Sequence, residues 1–481
     1  MPVFNGARYI SGAIDSILTQ DYQDFEFIVV DDGSTDQTSI MLSSIKDPRL
    51  KVITHKNNMG IVTSLNDGVR ASKGKYIARM DSDDLSDPKR FSIQVDYLDR
   101  HRDCAAVGSF VRLIDPAGKT LYTIEQPTRD LAIKRHLLQD SCLAHGSVMM
   151  RKSAIAEVGL YSDSSDVVHA EDYDLFVRFA AKYKLANVPE YLYTRIEHDH
   201  SISHIHSKTQ QQSARHISQK AQESIGIPNK SKFSILMPTY NKAKYIKEAI
   251  ESALAQSYIN WELVIIDDGS TDNTENIVKP YLKDRRIIYL KNPLNIGKAR
   301  TRNRLVKESL ADIFGELDSD DALTPEAIEV MVKAHEKNNN CGLIYSQFSF
   351  CNEKLIEQGV GFCRDGENGE TNLHNHYASA FRTYKRSLYD KTSGFDVTLP
   401  GSEDIDLIYK MEEVAPIHFV DKVLYHYRFI SDRDSHDKTV GLFSHAKAKC
   451  YAYLRRRQTD IPNLTFFQLL RQLINLGYSM L

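Results

Sequence analysis

The sequence predicts two tandem α/β domains, each a mainly parallel, doubly wound sheet flanked by helices. Three observations predict it. The chain repeats itself once: MPVFNGARYISGAIDSILTQ at Met1 returns as MPTYNKAKYIKEAIESALAQ at Met237, an offset of 236 residues. Short apolar runs rich in β-branched residues alternate with segments whose apolar residues recur at helical spacing. Each copy also places Asp-Ser-Asp-Asp behind an apolar run, at residues 81–84 and 318–321, and strand carboxyl ends are where open α/β sheets bind ligands. One such tetrapeptide is an ordinary solvated turn. Two, in matched order within a domain-length repeat, mark a pair of sites.

Composition narrows the class. With 61 basic and 64 acidic residues the formal charge is −3, so no bulk attraction to nucleic acid or an anionic membrane is expected. The six cysteines lack CxxC spacing and read as reduced thiols of a cytoplasmic protein. No apolar run approaches the ~18 residues of a membrane span, and no signal-peptide pattern opens the chain.

Taken in order, the second copy opens with a strand over 232–238. The first copy starts at the equivalent of Met237 and lacks that strand, which is expected to leave neighbouring edges unpaired. A late start or a truncation accounts for it. Ile10, Ala13, Ile14 and Ile17, like Ile246, Ala249, Ile250 and Ala253, predict a helix next. Runs at 25–30 and 263–266 read as strands that end in DDGST, with helices capped near Thr35 and Thr271. Strands at 52–54 and 287–290 lead through Asn58-Met59-Gly60 and Asn295-Ile296-Gly297 to further helices. After DSDD, Pro88 and Pro325 stand near helix starts, and 105–111 and 342–345 read as strands. The expected boundaries are 1–206 for the first domain, 207–231 for a polar helix and linker, 232–445 for the second domain and 446–481 for a helical tail. The tail's apolar residues at 464–476 predict a helix that docks on the second domain or lies on a membrane surface.

The chemistry follows from the carboxylates. A nucleotide diphosphate sugar reacts slowly because charge builds on the departing phosphates, and a divalent cation held by acidic side chains neutralises it. Asp83 and Asp320 are the candidate ligands, with Asp81 and Asp318 reaching the metal through water or binding the donor's ribose; oxygen ligands suit Mn²⁺ or Mg²⁺. A base must also take the acceptor hydroxyl's proton. Asp172 in EDYDL and Asp404 in EDIDL are the candidates. Asp31, Asp32, Asp267 and Asp268 either accept from a base or ribose edge or close a turn. Lys298 and Arg302 could reach phosphates, but the first copy has Ile61 and Leu65 there. His198, His200, His204 and His206 read as a solvated loop, and His145 and His374 as structural. No Gly- and Lys-rich phosphate loop supports a nucleotidyltransferase.

MPVFN and MPTYN, DDGST, DSDD and ED-x-DL, in this order and twice over, resemble family-2 glycosyltransferases of GT-A fold. The tandem arrangement is similar to the bacterial two-domain polysaccharide synthases of the hyaluronan, chondroitin and heparosan type. The resemblance implies inversion by single displacement from UDP-sugars onto an oligosaccharide or lipid-linked glycan. It implies that Asp32 and Asp268 contact uracil, that DSDD holds ribose and metal, and that Asp172 and Asp404 are the bases. Pro2, Pro238 and Arg302 fall on its donor-binding side. A downstream histidine completes the metal site in some members; His198 is the nearest match, while the second copy has Ile430 or Ser431. Both domains are then expected to work, the alternative being a first domain that only binds glycan or scaffolds the second.

Overall fold

The computed structural model describes residues 1–197, 207–226, 233–366, 370–373, 375–430 and 438–456, the side chains of 207–208 and 438–443 excepted. The chain divides into two compact units, Met1–Asn229 and Lys230–Leu481.

The first unit contains β1 (Pro2–Val3), β2 (Phe27–Asp31), β3 (Leu50–Thr54), β4 (Tyr76–Ala78), β5 (Leu85–Ser86), β6 (Cys104–Ile114), β7 (Thr120–Ile124), β8 (Met149–Arg151) and β9 (Lys184–Ile196). The second contains β10 (Phe233–Thr239), β11 (Trp261–Asp267), β12 (Ile287–Lys291), β13 (Ile313–Glu316), β14 (Ala322–Leu323), β15 (Leu343–Cys351), β16 (Glu357–Val360), β17 (Arg382–Lys385) and β18 (Ile417–Arg428). Its strands form one sheet in the order β12-β11-β10-β13-β17-β15-β18-β14, with β16 on β15. The β12 to β13 half is parallel, as expected, with β10 and β11 buried along their whole length. Beyond it β17 runs antiparallel to β13 and β15, so the whole sheet is mixed.

The first unit repeats this order but in two pieces, β3-β2-β1 and β4-β8-β6-β9-β5. The break falls where β10 and β13 join in the second unit, through residues 233–236 paired with Ile313, Phe314, Gly315 and Glu316. By the 236-residue offset, the positions matching 233–236 lie ahead of Met1. A two-residue β1 does form, against the expectation of no first strand, because Pro2 and Val3 still pair with Val30 and Asp31. A cavity of about 670 Å³ opens between β2 and β4, lined by Ile28, Val30, Val69, Ile77, Phe91 and Met149 among others. The Met1 amine donates to the Ile28 carbonyl at 2.9 Å inside this apolar surround. Burial, then the nearby Arg79 charge, push its pKa down to about 5. The first unit's buried apolar residues form two clusters, one of which joins Val3, Phe27 and Val29 to Val107 and Met149 across the two sheet pieces, whereas one cluster runs through the second unit's sheet.

Each DDGST motif is set by its glycine. Gly33 and Gly269 adopt φ of +76° and +79°, and an added Cβ would meet the backbone of Asn57 or Leu294 at 2.6 or 2.8 Å. The following helices start at Thr38 and Thr274 rather than being capped near Thr35 and Thr271. Those two threonine amides donate instead to Asn5 and Asn241, at 2.8 and 2.9 Å, which ties the turn to the end of the first strand. The helix Ser207–Ser224, expected as polar, buries Ile217 and Ala221, with Ile225 just beyond, on the first unit's core. The helix Lys438–Arg456 packs Ala448 and Ala452 with Tyr409 of the helix Glu403–Val414. The tail at 464–476 lies outside the described residues. Among those described, no helix is long and apolar enough to cross a membrane.

Candidate active sites

In the second unit DSDD follows β13, and its last member is structural. Asp321 is fully buried and accepts from the Tyr425 hydroxyl and the Arg428 amide of β18, both at 2.8 Å. The same hydroxyl accepts from the Asp318 amide at 3.2 Å. Burial, followed by the charges of Asp320 and Asp318, pushes the Asp321 carboxyl up to about 8. Oxygens of Asp318, Asp320 and Asp321 lie within 4.8 Å of one another, the sole such trio of acidic, His or Cys ligands among the described residues. A set made only of carboxylates fits a hard divalent cation. Lys242 places its ammonium 2.8 Å from Asp320, and Lys298 comes within 3.5 Å of Asp318.

Two buried guanidiniums bring the second motif to the first. Arg302 pairs with Glu316 at 2.8 Å and Glu403 at 2.9 Å, and reaches within 3.7 Å of Asp318. Arg382 of β17 stands 3.1 Å from Asp404 and 3.7 Å from Glu316. The N-terminus of the helix Glu403–Val414 is thereby held at the end of β13. Burial favours the neutral form of Asp404, but Arg382, then Arg302 and Lys298, outweigh it and hold the carboxyl well below the usual range. Asp404 is ionised.

The first unit reaches a similar layout with different residues. Asp84 accepts from the Tyr193 hydroxyl at 2.8 Å and the Ile196 amide at 2.9 Å, matching Asp321. Leu65 stands where the second unit has Arg302, Val148 where it has Arg382, and Arg79 where it has Glu316. The guanidinium has moved from the helix to the residue that follows β4: buried Arg79 pairs with Asp81. Asp172, without a counterpart of Arg382, is pushed up to about 7 by burial and then by the Glu171 carboxylate. Gly6 replaces Lys242. His145 bonds the Tyr161 hydroxyl at 2.9 Å, and burial pushes its pKa well down, which makes it a structural neutral histidine.

The DDGST aspartates divide by position. The first of each pair closes the turn: Asp31 accepts from the Ser34 amide and the Ser39 hydroxyl, Asp267 from the Ser270 amide and the Tyr289 hydroxyl. The second holds the Asn-x-Gly loop. Asp32 accepts from the amides of Met59 and Gly60, both at 2.8 Å, and Asp268 from those of Ile296 and Gly297, both at 3.0 Å. His55 lies 2.7 Å from Asp32, where the second unit has Asn292 donating to Asp268 at 2.6 Å. Pro2 and Pro238 are buried in β1 and β10. His198 lies outside the described residues, with His200, His204, His206 and His374.

Sequence reasoning passed over Arg79, Arg382, His55 and the two tyrosines. A signal was present for some of them. Arg79 and Glu316 are opposite charges at matched positions, and Tyr193 and Tyr425 recur at the same place in YLYTR and VLYHY.

A family model described as Glycosyl transferase family 2 matches residues 1–159 and again 234–393. An uncharacterized glycosyltransferase of Rickettsia felis is 30% identical over 421 residues, covering 75% of this chain and 66% of that protein. Chondroitin synthase of Escherichia coli is 29% identical over 40% of this chain and 28% of its own length. Hyaluronan synthase of Pasteurella multocida is 30% identical over 44% and 21%. The chain thus spans slightly under two thirds of the Rickettsia relative and less than a third of either synthase. Among solved structures it is similar to S. aureus TarS 1-349 in complex with UDP-GlcNAc, at 21% identity, a TM-score of 0.42, and coverage of 52% of this chain and 73% of that one. With both copies matched, the chain belongs to glycosyl transferase family 2, as a tandem of two such domains.

Proposed function

We propose that the protein is a bifunctional inverting glycosyltransferase that builds a bacterial surface glycan, such as a capsule, exopolysaccharide or lipopolysaccharide, from UDP-sugars. The observation that carries this reading is the approach of the EDIDL helix to DSDD through Arg302, which pairs with Glu403 and nears Asp318. Asp318 and Asp320, and Asp83 with Asp81 in the first unit, would hold Mn²⁺ or Mg²⁺, which supplies neutralisation of the charge on the departing diphosphate. Asp404 and Asp172 take the proton of the acceptor hydroxyl as it attacks the anomeric carbon. Asp32 and Asp268, bound to their loop amides, fix the wall on which the nucleoside base rests. The acceptor is an oligosaccharide or lipid-linked glycan, and the tail at 464–476 would bring a cytoplasmic enzyme to the inner membrane surface.

A second reading has an observation in its favour. Among the described residues the one trio of converging carboxylates is the second unit's Asp318, Asp320 and Asp321, which supports a first unit that binds glycan or scaffolds while only the second turns over. Metal-dependent UDP release from a panel of UDP-sugars, with oligosaccharide acceptors, decides between them. If both units work, Asp172→Asn and Asp404→Asn each cut release from a different donor by about a hundredfold or more. If only Asp404→Asn matters, the second reading holds. Undiminished release in both variants rejects the assigned bases.

A further inference from the structure

The second unit carries a row of aromatic rings that the first does not. On β15, Phe348 and Phe350 point to one face, opposite Tyr425 and Tyr427 of β18 in the parallel register. Tyr425 is the residue whose hydroxyl bonds Asp321, so the row begins beside the DSDD turn. Phe381 stacks on Tyr425 at 6.0 Å, Phe350 meets Phe348 at 5.0 Å, and Phe362 meets Phe348 at 5.6 Å. The inner ring is buried, whereas Phe350 is 37% and Phe362 52% exposed. Phe362 also faces His376 at 6.1 Å, and His376 is within electrostatic reach of Arg382 and Asp404. At the positions of Phe348, Phe350 and Tyr427 the first unit has Val111, Leu113 and Arg195. Packing alone is therefore satisfied there without aromatic rings.

Exposed rings beside polar groups are the make-up of a carbohydrate site, because a pyranose has one face of C–H groups and an edge of hydroxyls. The polar groups are present. Arg364 pairs with Glu370 at 2.7 Å with its guanidinium 5.2 Å from the Tyr377 ring, and His376 lies against Phe362 itself. Neighbouring Glu353 is paired with Lys244, so the rim has no cationic excess of the kind an anionic membrane surface attracts.

We propose that Phe350 and Phe362 form an acceptor subsite of the second unit, on which a sugar ring of the growing glycan stacks while its chain end is presented toward Asp404. This rests on the glycosyl-transfer reading, and the test separates the two. Full-length Phe362→Trp protein is titrated with hyaluronan, chondroitin and β-1,4-glucan hexasaccharides while the new indole's fluorescence is followed; the chain's one natural tryptophan, Trp261, is buried. UDP binding is measured on the same samples by calorimetry. One hexasaccharide is expected to shift the emission, and adding Phe350→Ala is expected to weaken its binding about tenfold with UDP affinity unchanged. Three results overturn the proposal: no response to any hexasaccharide in a protein that binds UDP, undiminished hexasaccharide binding by the Phe350→Ala, Phe362→Ala double variant, or aromatic-dependent capture by phosphatidylglycerol vesicles with no glycan response. A hexasaccharide response that depends on Phe350 in a protein that fails to bind UDP supports the stacking contact and overturns the donor reading instead.

Discussion

The two units share a strand order but differ in where they keep their charges and in how their sheets are closed. In the second, Arg302 on a helix and Arg382 on β17 converge on Glu316, Glu403 and Asp404. In the first, Arg79 just past the end of β4 carries the charge, and the helix and β8 side supply Leu65 and Val148. One buried cationic cluster is thus reached by two routes. Buried ions are costly unless paired, so the members of each set are coupled, and exchanging one alone is far worse than exchanging all.

The largest effect tests that coupling. Arg302→Leu leaves Glu316 and Glu403, 7% and 3% exposed, without their main cationic partner, at a cost of about 3–5 kcal/mol. Urea unfolding followed at Trp261, which sits in β11 of the second unit, reads this loss without interference from the first. The triple variant Arg302→Leu, Glu316→Arg, Arg382→Val copies the first unit's arrangement and is expected to regain more than half of it. A triple variant no more stable than the single one would show that the two routes are not equivalent.

Next comes the divided sheet. A protein with Phe-Ser-Ile-Leu added ahead of Met1, copied from residues 233–236, is expected to fill the cavity beside β4. Three buried apolar side chains and the new ladder hydrogen bonds, set against the ordering of four residues, leave a gain of about 2–4 kcal/mol. The addition also turns the buried Met1 amine into a neutral amide. Hydrogen exchange at Tyr76, Ile77 and Ala78 should slow markedly while the Trp261 transition stays put. Unchanged exchange would mean that the added residues do not enter the gap.

The third prediction uses pH. Asp172 is raised to about 7, so below that value it is protonated and cannot accept a proton; first-unit turnover should fall about tenfold per pH unit below 7. Asp404 is depressed by Arg382, so second-unit turnover should show no such limb down to pH 5. In Glu171→Gln the first unit's limb should move to lower pH, because the like charge next to Asp172 is gone. The triple variant above should give the second unit a limb of its own. Donor-specific UDP release measured from pH 5 to 9 reads all three.

Much of this was legible in the residues. The repeat, the DSDD and ED-x-DL motifs and the strands that precede them stand out because backbone geometry demands them: Gly33 and Gly269 sit at positive φ, and Asp84 and Asp321 each clasp a distant strand. What stayed hidden depends on partners far apart in sequence. The loss of Arg302 at Leu65 reads as a weakened first site until Arg79 is seen to fill the space from the strand side. The role of Arg382 emerges only when β17 inserts between β13 and β15. The helix Ser207–Ser224 looks like a polar linker because three well-spaced apolar residues on one face are enough to dock it.

The smallest difference between the units is also the most direct probe of the carboxylate sites. Lys242 rests its ammonium on Asp320 at 2.8 Å while remaining 31% exposed, and the first unit has Gly6 in its place. A cation entering the second site must displace that ammonium, and with the lysine still partly open to water the pair is worth about 0.2–1 kcal/mol. Lys242→Gly is therefore expected to tighten Mn²⁺ binding roughly twofold to fivefold in calorimetry with the protein free of nucleotide. The reverse change, Gly6→Lys, should weaken binding at the first site by a similar factor, provided that Val3, whose side chain an added Cβ at Gly6 would meet at 2.5 Å, can move aside. If Lys242→Gly instead weakens Mn²⁺ binding, the lysine orders Asp320 more than it competes for it, and the two units differ in rigidity rather than in occupancy by a counter-ion.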